Sequence, residues 1–251
     1  MPKNLDKSIK FNALTYYAFS KSVKLTLFVL CIIFSGKNGV QAQNYGFKPT
    51  YDKVFYGGML AFSVTDLYLT QKLNALPHHW EINPLDKLAV NQLNLNYAHA
   101  ADFTAGATVA ISAGIVFFMP KEDKLGYLNQ LTQNLWITGN SVQLVKLLVQ
   151  RSRPYTNASG YQFQGNKDDN YSFFSGHSAL TASAATTAIL YALRNNSSNS
   201  LKYTTYGAGI LALSTATLRI LAGKHYPSDV LTGVLFGTGI SILNAQIHKF
   251  N

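Results

Sequence analysis

The apolar residues of this chain fall into blocks of helix length, and strand-like alternation of apolar and polar positions is scarce. The blocks cover roughly residues 54–71, 101–119, 127–149, 178–193, 203–222 and 229–247. Gly, Ala, Ser and Thr fill several of them, which lets helices pack closely in a membrane or in a soluble bundle. Polar connections lie at 120–126, 153–174 and 194–202. The pattern predicts an all-α helical bundle with one long functional loop before residue 175. Charged residues make up 13% of the chain, against about 25% in ordinary soluble domains. The mean hydropathy of +0.04 fits a membrane protein with sizeable polar loops, or an unusually apolar soluble helical protein.

Residues 1–42 carry six lysines against Asp6, so the net charge of +10 falls to +5 beyond them. That mild bias suits anionic substrates or a membrane surface. No basic stripe interleaved with aromatics is present, which argues against nucleic acid as a partner. Lys21 and Lys24 precede an apolar run from residue 25 to 34, and Val40-Gln41-Ala42 forms a small-x-small site. The segment 1–42 reads as a signal peptide, with an uncleaved anchor helix as the alternative. The remaining 43–251 read as one domain. The single cysteine, Cys31, lies in the leader, so the rest has no thiol nucleophile and no disulfide.

Three short patterns carry chemistry. In Lys146-Leu-Leu-Val-Gln-Arg-Ser-Arg153-Pro154 two cations lie seven residues apart, on one helix face. Basic residues at a helix C-terminus are also explained by the dipole alone. In Ser172-Phe-Phe-Ser175-Gly176-His177 a serine can cap the following alanine-rich helix. Its first turn is an anion site, or simply a capped helix start with an exposed histidine. In Arg219-Ile-Leu-Ala-Gly-Lys-His225-Tyr-Pro-Ser-Asp229 an imidazole sits at a turn. The carboxylate four residues on could hold one ring nitrogen and free the other. It could equally be an ordinary first-turn Asp beside an incidental His. Together the segments can meet at one end of a bundle.

At these residues the sequence resembles the type 2 phosphatidic acid phosphatase superfamily, which also includes class A acid phosphatases and vanadium haloperoxidases. Lys146, Arg153 and Pro154 match its first motif. Ser175, Gly176 and His177 match the second, and Arg219, His225 and Asp229 match the third. Phe174 replaces a usual Pro, and Leu218 a usual Ser. The resemblance implies catalytic roles for His225 as nucleophile, His177 as general acid and base, and Asp229 as the group orienting His225. It implies phosphate binding by Lys146, Arg153, Ser175, Gly176 and Arg219, with no cofactor and no metal.

The expected activity is phosphatase action on a membrane lipid phosphate or pyrophosphate (phosphatidic acid, undecaprenyl pyrophosphate or a lipid A-like molecule). The alternatives are a soluble periplasmic acid phosphatase, a vanadate-dependent haloperoxidase and a non-catalytic scaffold. The expected place is a bacterial inner membrane, with the site facing the periplasm. That topology leaves residue 43 outside and makes two spanning hairpins, with Lys121, Lys124, Arg194, Lys202 and Lys249 inside. It requires 54–71, which contains Asp66, not to span. The polar residues Asn129, Gln130, Gln133, Asn134, Asn140 and Gln143 make 127–149 a poor span and keep the soluble alternative open, while low charge and the small-residue apolar helices favour the membrane. His78 and His79 read as loop residues, and His99 with Asp102 as a helix-face pair or cap.

Overall fold

The computed structural model describes residues 49–73, 82–89, 91–162, 166–195 and 197–247. The leader 1–42, His78, His79 and Lys249 lie outside them. The described residues form six long helices and no strand: α1 Pro49–Lys72, α2 Leu95–Gly114, α3 Lys121–Val149, α4 Gly176–Arg194, α5 Asn199–Leu221 and α6 Pro227–Ile247. Each expected block overlaps one of them.

The helix ends follow from local chemistry. Asn94, Ser175 and Ser198 each accept a backbone N–H from the first turn of α2, α4 and α5. Pro227 opens α6, where its missing N–H costs nothing. Helix α3 begins at Lys121, six residues earlier than its apolar block. Glu122 and Asp123 sit in its first turn, where the dipole favours them, and Asp123 accepts the Tyr191 hydroxyl at 2.7 Å. It stops at Gln150, which takes a left-handed conformation (φ 48°) and returns its N–H to Lys146 O. Beyond it comes the long loop, whose described residues, 151–162 and 166–174, include 3-10 turns at Pro154–Asn157 and Lys167–Asn170.

Side-chain pairs fix the helix directions. Helix α4 runs antiparallel to α3, through Asn134–Thr187 and Asp123–Tyr191. It runs parallel to α6, through Ser183–Ser241 and Arg194–Ala245 O. Along that seam the backbones nearly touch: a Cβ on Gly237 would lie 2.0 Å from Ala179 O. Helix α2 runs antiparallel to α5, through Thr104–Thr215 and Asp102–Arg219. The result is one end that gathers the C-termini of α3 and α5 and the N-termini of α2, α4 and α6.

Helix α1 lies along α3 in the same direction. Asp52 accepts from Asn129 and Gln133, Tyr56 donates to Asn129, Ser63 to Asn140, and Gln143 to Thr70. Asn134 meets Thr187 and Asn244. The amides that made α3 a poor span thus face other helices rather than the surroundings. Gln130 is buried too, without a side-chain partner among the described residues. The outside is correspondingly apolar. Phe103, Phe117, Tyr203, Ile210, Leu213 and Leu235 are all more than half exposed. Among the described residues two stretches, Leu95–Phe118 and Pro227–Ile247, are long and apolar enough to cross a membrane.

Candidate active site

The loop after α3 and the turn before α6 lace together at the shared end. Gly223 (φ 69°) reverses the chain after α5, and the N–H groups of Lys224 and His225 return to Arg219 O. Tyr155 N donates to Gly223 O, and Arg153 Nη1 donates to Lys224 O at 2.8 Å. Ser175 N donates to Asp229 O at 3.0 Å, which ties the start of α4 to α6. The three sequence patterns therefore meet, as their chemistry requires.

His225 is completely buried. Its Nδ1 lies 2.7 Å from Ser172 O, a carbonyl that can only accept. The proton is therefore on Nδ1, and Nε2 carries the lone pair. Nε2 lies 3.3 Å from Arg153 Nη1. Burial, and then the cations Arg153, Lys146 and Arg219, hold the imidazole well below its ordinary pKa of 6.5. It is a neutral, oriented nitrogen facing a cationic group.

One expected contact is not direct. Asp229 Oδ2 is 3.9 Å from His225 Nδ1, beyond hydrogen-bond reach. Its carboxylate instead accepts from Arg151 Nη1 (2.5 Å), Ser172 Oγ (2.5 Å) and Tyr226 N (2.9 Å). Asp229 is linked to the imidazole through Ser172, whose hydroxyl it holds while the Ser172 carbonyl holds His225. The first turn of α6 places Asp229 too near its own Tyr226 N–H to reach the ring.

Around His225 stand Lys146, Arg153 and Arg219. A Cβ on Gly176 would lie 3.8 Å from Lys146 Nζ, so that ammonium faces the start of α4. The first-turn N–H groups there, Gly176 included, point out of the helix end. The Ser175 hydroxyl is fully buried and pairs with Ser178 Oγ and Ser178 N, so it caps α4. Arg219 Nε is buried with no hydrogen-bond partner among the described residues. That is an expensive state which an anion would relieve. Phe174 fills the place of the usual Pro by packing, with its ring 5.0 Å from Phe236 and against Val142 and Ala179.

His177 stands opposite, partly exposed, with Nε2 3.0 Å from Asp102 Oδ1. Asp102 also accepts from Arg219 Nη1 at 3.3 Å. Sequence spacing had set Asp102 beside His99 on one helix; the structure pairs it with His177 across two. Asp168, on the long loop, accepts from Arg153 Nη2 at 2.6 Å and lies 3.9 Å from Lys224 Nζ. Burial alone would push its carboxyl up, but Arg153, Lys224 and Lys146 hold it below the usual range. A cleft of about 460 Å³ opens beside His177 and Lys146 and runs between α2 and α4, over Ala105, Gly106, Val109 and Leu180.

Comparison with known proteins fits this geometry. A family model described as the PAP2 superfamily matches residues 127–251, the stretch that carries all three patterns. The chain belongs to the PAP2 superfamily. It is similar to an undecaprenyl-diphosphatase of Sulfolobus acidocaldarius, 29% identical over 107 residues, which is 43% of this chain and 48% of that one. The match thus spans about half the length of that relative. It is also similar to the crystal structure of a transmembrane PAP2 type phosphatidylglycerolphosphate phosphatase from Bacillus subtilis. There the identity is 20%, the coverage 89% of this chain and 94% of that one, and the TM-score 0.42.

Proposed function

We propose that this PAP2 protein hydrolyses a membrane lipid phosphate or pyrophosphate through a phosphohistidine at His225, without a metal. The observation that carries the reading is His225 itself: buried, neutral, its Nε2 lone pair set beside the guanidinium of Arg153. Phosphoryl transfer needs an in-line nucleophile and fixed positive charge on the equatorial oxygens. Lys146, Arg153, Arg219 and the α4 N-terminus supply that charge.

In the first step the Nε2 lone pair forms a bond to phosphorus and the bond to the leaving oxygen breaks. Protonated His177 gives its proton to that oxygen, and Asp102 steadies the imidazolium beforehand. The phosphorylated His225 ring carries a positive charge, spread toward the Ser172 carbonyl. In the second step neutral His177 takes a proton from water. The water oxygen bonds to phosphorus, the P–N bond breaks, and Nε2 regains its lone pair.

Two features favour a lipid over a soluble ester. The cleft beside the cations has an apolar floor where an alkyl or prenyl chain can lie. The outer faces of the helices are apolar while amides and hydroxyls line the interior, the arrangement suited to a bilayer. The name of the curated relative, an undecaprenyl-diphosphatase, supports the same reading.

The site end would face the outside of the membrane. Lys121, Lys124, Arg194 and Lys202 lie at the opposite end, as positive-inside requires. Helix α1, parallel to α3 along its length, then crosses with it, contrary to the expectation that 54–71 stays out. A signal peptide cleaved after Ala42 would leave Pro49 outside and turn the site inward. The two expectations therefore exclude one another, and the charge pattern favours the outward site.

The test is phosphate release by purified protein in EDTA, on lipid phosphates and on one soluble ester, with Gly106→Leu as a probe. Nothing lies within 4 Å of a Cβ at Gly106, so the variant fills the cleft without a clash at that atom. Loss of lipid turnover with the soluble ester spared supports the reading. Release that requires metal, or equal effects on both substrates, counts against it.

A further inference from the structure

Asp86 belongs to a short 3-10 turn ahead of α2, far in sequence from the three patterns and outside the stretch matched by the PAP2 family model. It is nonetheless fully buried against the site. Its carboxylate accepts from Arg151 Nη2 at 2.6 Å, from Ser228 N at 2.9 Å and from Ser228 Oγ at 2.7 Å. Arg151, also buried, turns its other terminal nitrogen to Asp229 at 2.5 Å and to Ser228 Oγ at 2.9 Å, and stacks 4.1 Å over the Tyr226 ring. Asp229 holds the Ser172 hydroxyl, and the Ser172 carbonyl holds His225. An unbroken buried chain thus runs Asp86, Arg151, Asp229, Ser172, His225.

The charge on that chain matters more than its length. Asp229 alone with Arg151 would be neutral, and the guanidinium would cancel the carboxylate just where His225 gains positive charge. With Asp86 ionised, two carboxylates share one guanidinium, and one net negative charge stays behind the ring. In a buried setting such a charge is weakly screened. It stabilises a His225 that has bonded through Nε2, and does little for a neutral one.

We propose that Asp86 and Arg151 are positioning residues for the nucleophile. They hold Asp229 and Ser172 in place and leave a net negative charge facing the imidazole in its covalent state. This rests on the phosphohistidine reading above, so its test needs a readout besides turnover. Vanadate bonded to Nε2 puts positive charge on the ring, whereas inorganic phosphate held by the cations does not.

The experiment measures vanadate and inorganic phosphate affinities, with kcat and KM, for wild type, Asp86→Asn and Asp86→Glu. Asp86→Asn is expected to weaken vanadate and lower kcat about tenfold, with phosphate affinity and KM held within about twofold. Asp86→Glu should recover part of the loss. If Asp86→Asn does not fold, Ser228→Ala, which removes one hydroxyl from both Asp86 and Arg151, should show the same split at smaller size. Vanadate affinity equal to wild type, or equal losses of vanadate and phosphate, would overturn the proposal. A wild type that binds vanadate but releases no phosphate from any lipid phosphate would overturn the proposed function and leave this one to be judged on the vanadate data.

Discussion

His225 gives its Nδ1 proton to the backbone carbonyl of Ser172, 2.7 Å away, while Asp229 stands 3.9 Å off and holds the Ser172 hydroxyl instead. A carbonyl cannot donate, so the tautomer is fixed without the carboxylate. The chain order His225, Ser172, Asp229 ranks three variants. His225→Ala removes the proposed nucleophile and should lower kcat by ~10² or more. Asp229→Asn keeps the shape but breaks a buried ion pair, and should cost more activity and more thermal stability than Ser172→Ala. Ser172→Ala keeps the carbonyl and should cost at most about tenfold. Steady-state kinetics with melting temperatures check the order, and an Asp229→Asn variant as active as wild type would break it.

Asp102 is placed to support His177, the proposed general acid, as well as to hold Arg219. Asp102→Asn should lower kcat by about 10–10², and more for an alkyl phosphate than for an aryl phosphate, whose leaving group needs less protonation. Equal losses on both substrates would assign Asp102 to Arg219 only.

The pH dependence follows from the direction of the His225 shift. Its folded pKa lies well below the ordinary 6.5, so the nucleophile stays neutral as pH falls through that value. A kcat/KM profile from roughly pH 8 to 5.5 should therefore show no acid limb at the ordinary histidine pKa. Stability behaves differently. Below pH 6.5 the unfolded chain protonates this ring and the folded chain does not, so this group's contribution is lost as pH falls from 6.5 toward its folded pKa. Denaturant melts across that window should show the decline, and His225→Gln should flatten it.

The seam between α4 and α6 tolerates no side chain at Gly237, because a Cβ would meet Ala179 O at 2.0 Å. Gly237→Ala should destabilise by about 3 kcal/mol or more. Gly239→Ala, with nothing within 4 Å, should be neutral or slightly stabilising. Thermal melts of the two variants give the contrast.

The helix-length apolar blocks were enough to predict all six helices, because burial at a helical period leaves a strong local signal. The three patterns also met in space, since each sits on a helix end that its own Pro, Gly or Ser specifies. What the sequence concealed was long-range. Asp86 and Arg151 carry no local signature; their meaning appears only when α6 brings Ser228 and Asp229 between them. Asp102 read as a cap or as a partner of its helix neighbour His99, because nothing local says that α4 brings His177 to it. The amides of α3 read as a defect in a span, because nothing local says that α1 lies alongside to satisfy them. Arg151 was within reach: a second arginine two residues before Arg153, just past the end of a helix, is a cation whose counter-charge has to be sought.

The measurement that bears most directly on the central claim is capture of the covalent intermediate. Protein mixed with a lipid phosphate radiolabelled at phosphorus and quenched in alkali should carry label that is stable to base, lost in acid and located by peptide mapping on His225. His177→Ala should accumulate that label, because water activation is slowed, and His225→Ala should carry none. Label on another residue, or turnover by a His225→Ala protein that never becomes labelled, would contradict the account.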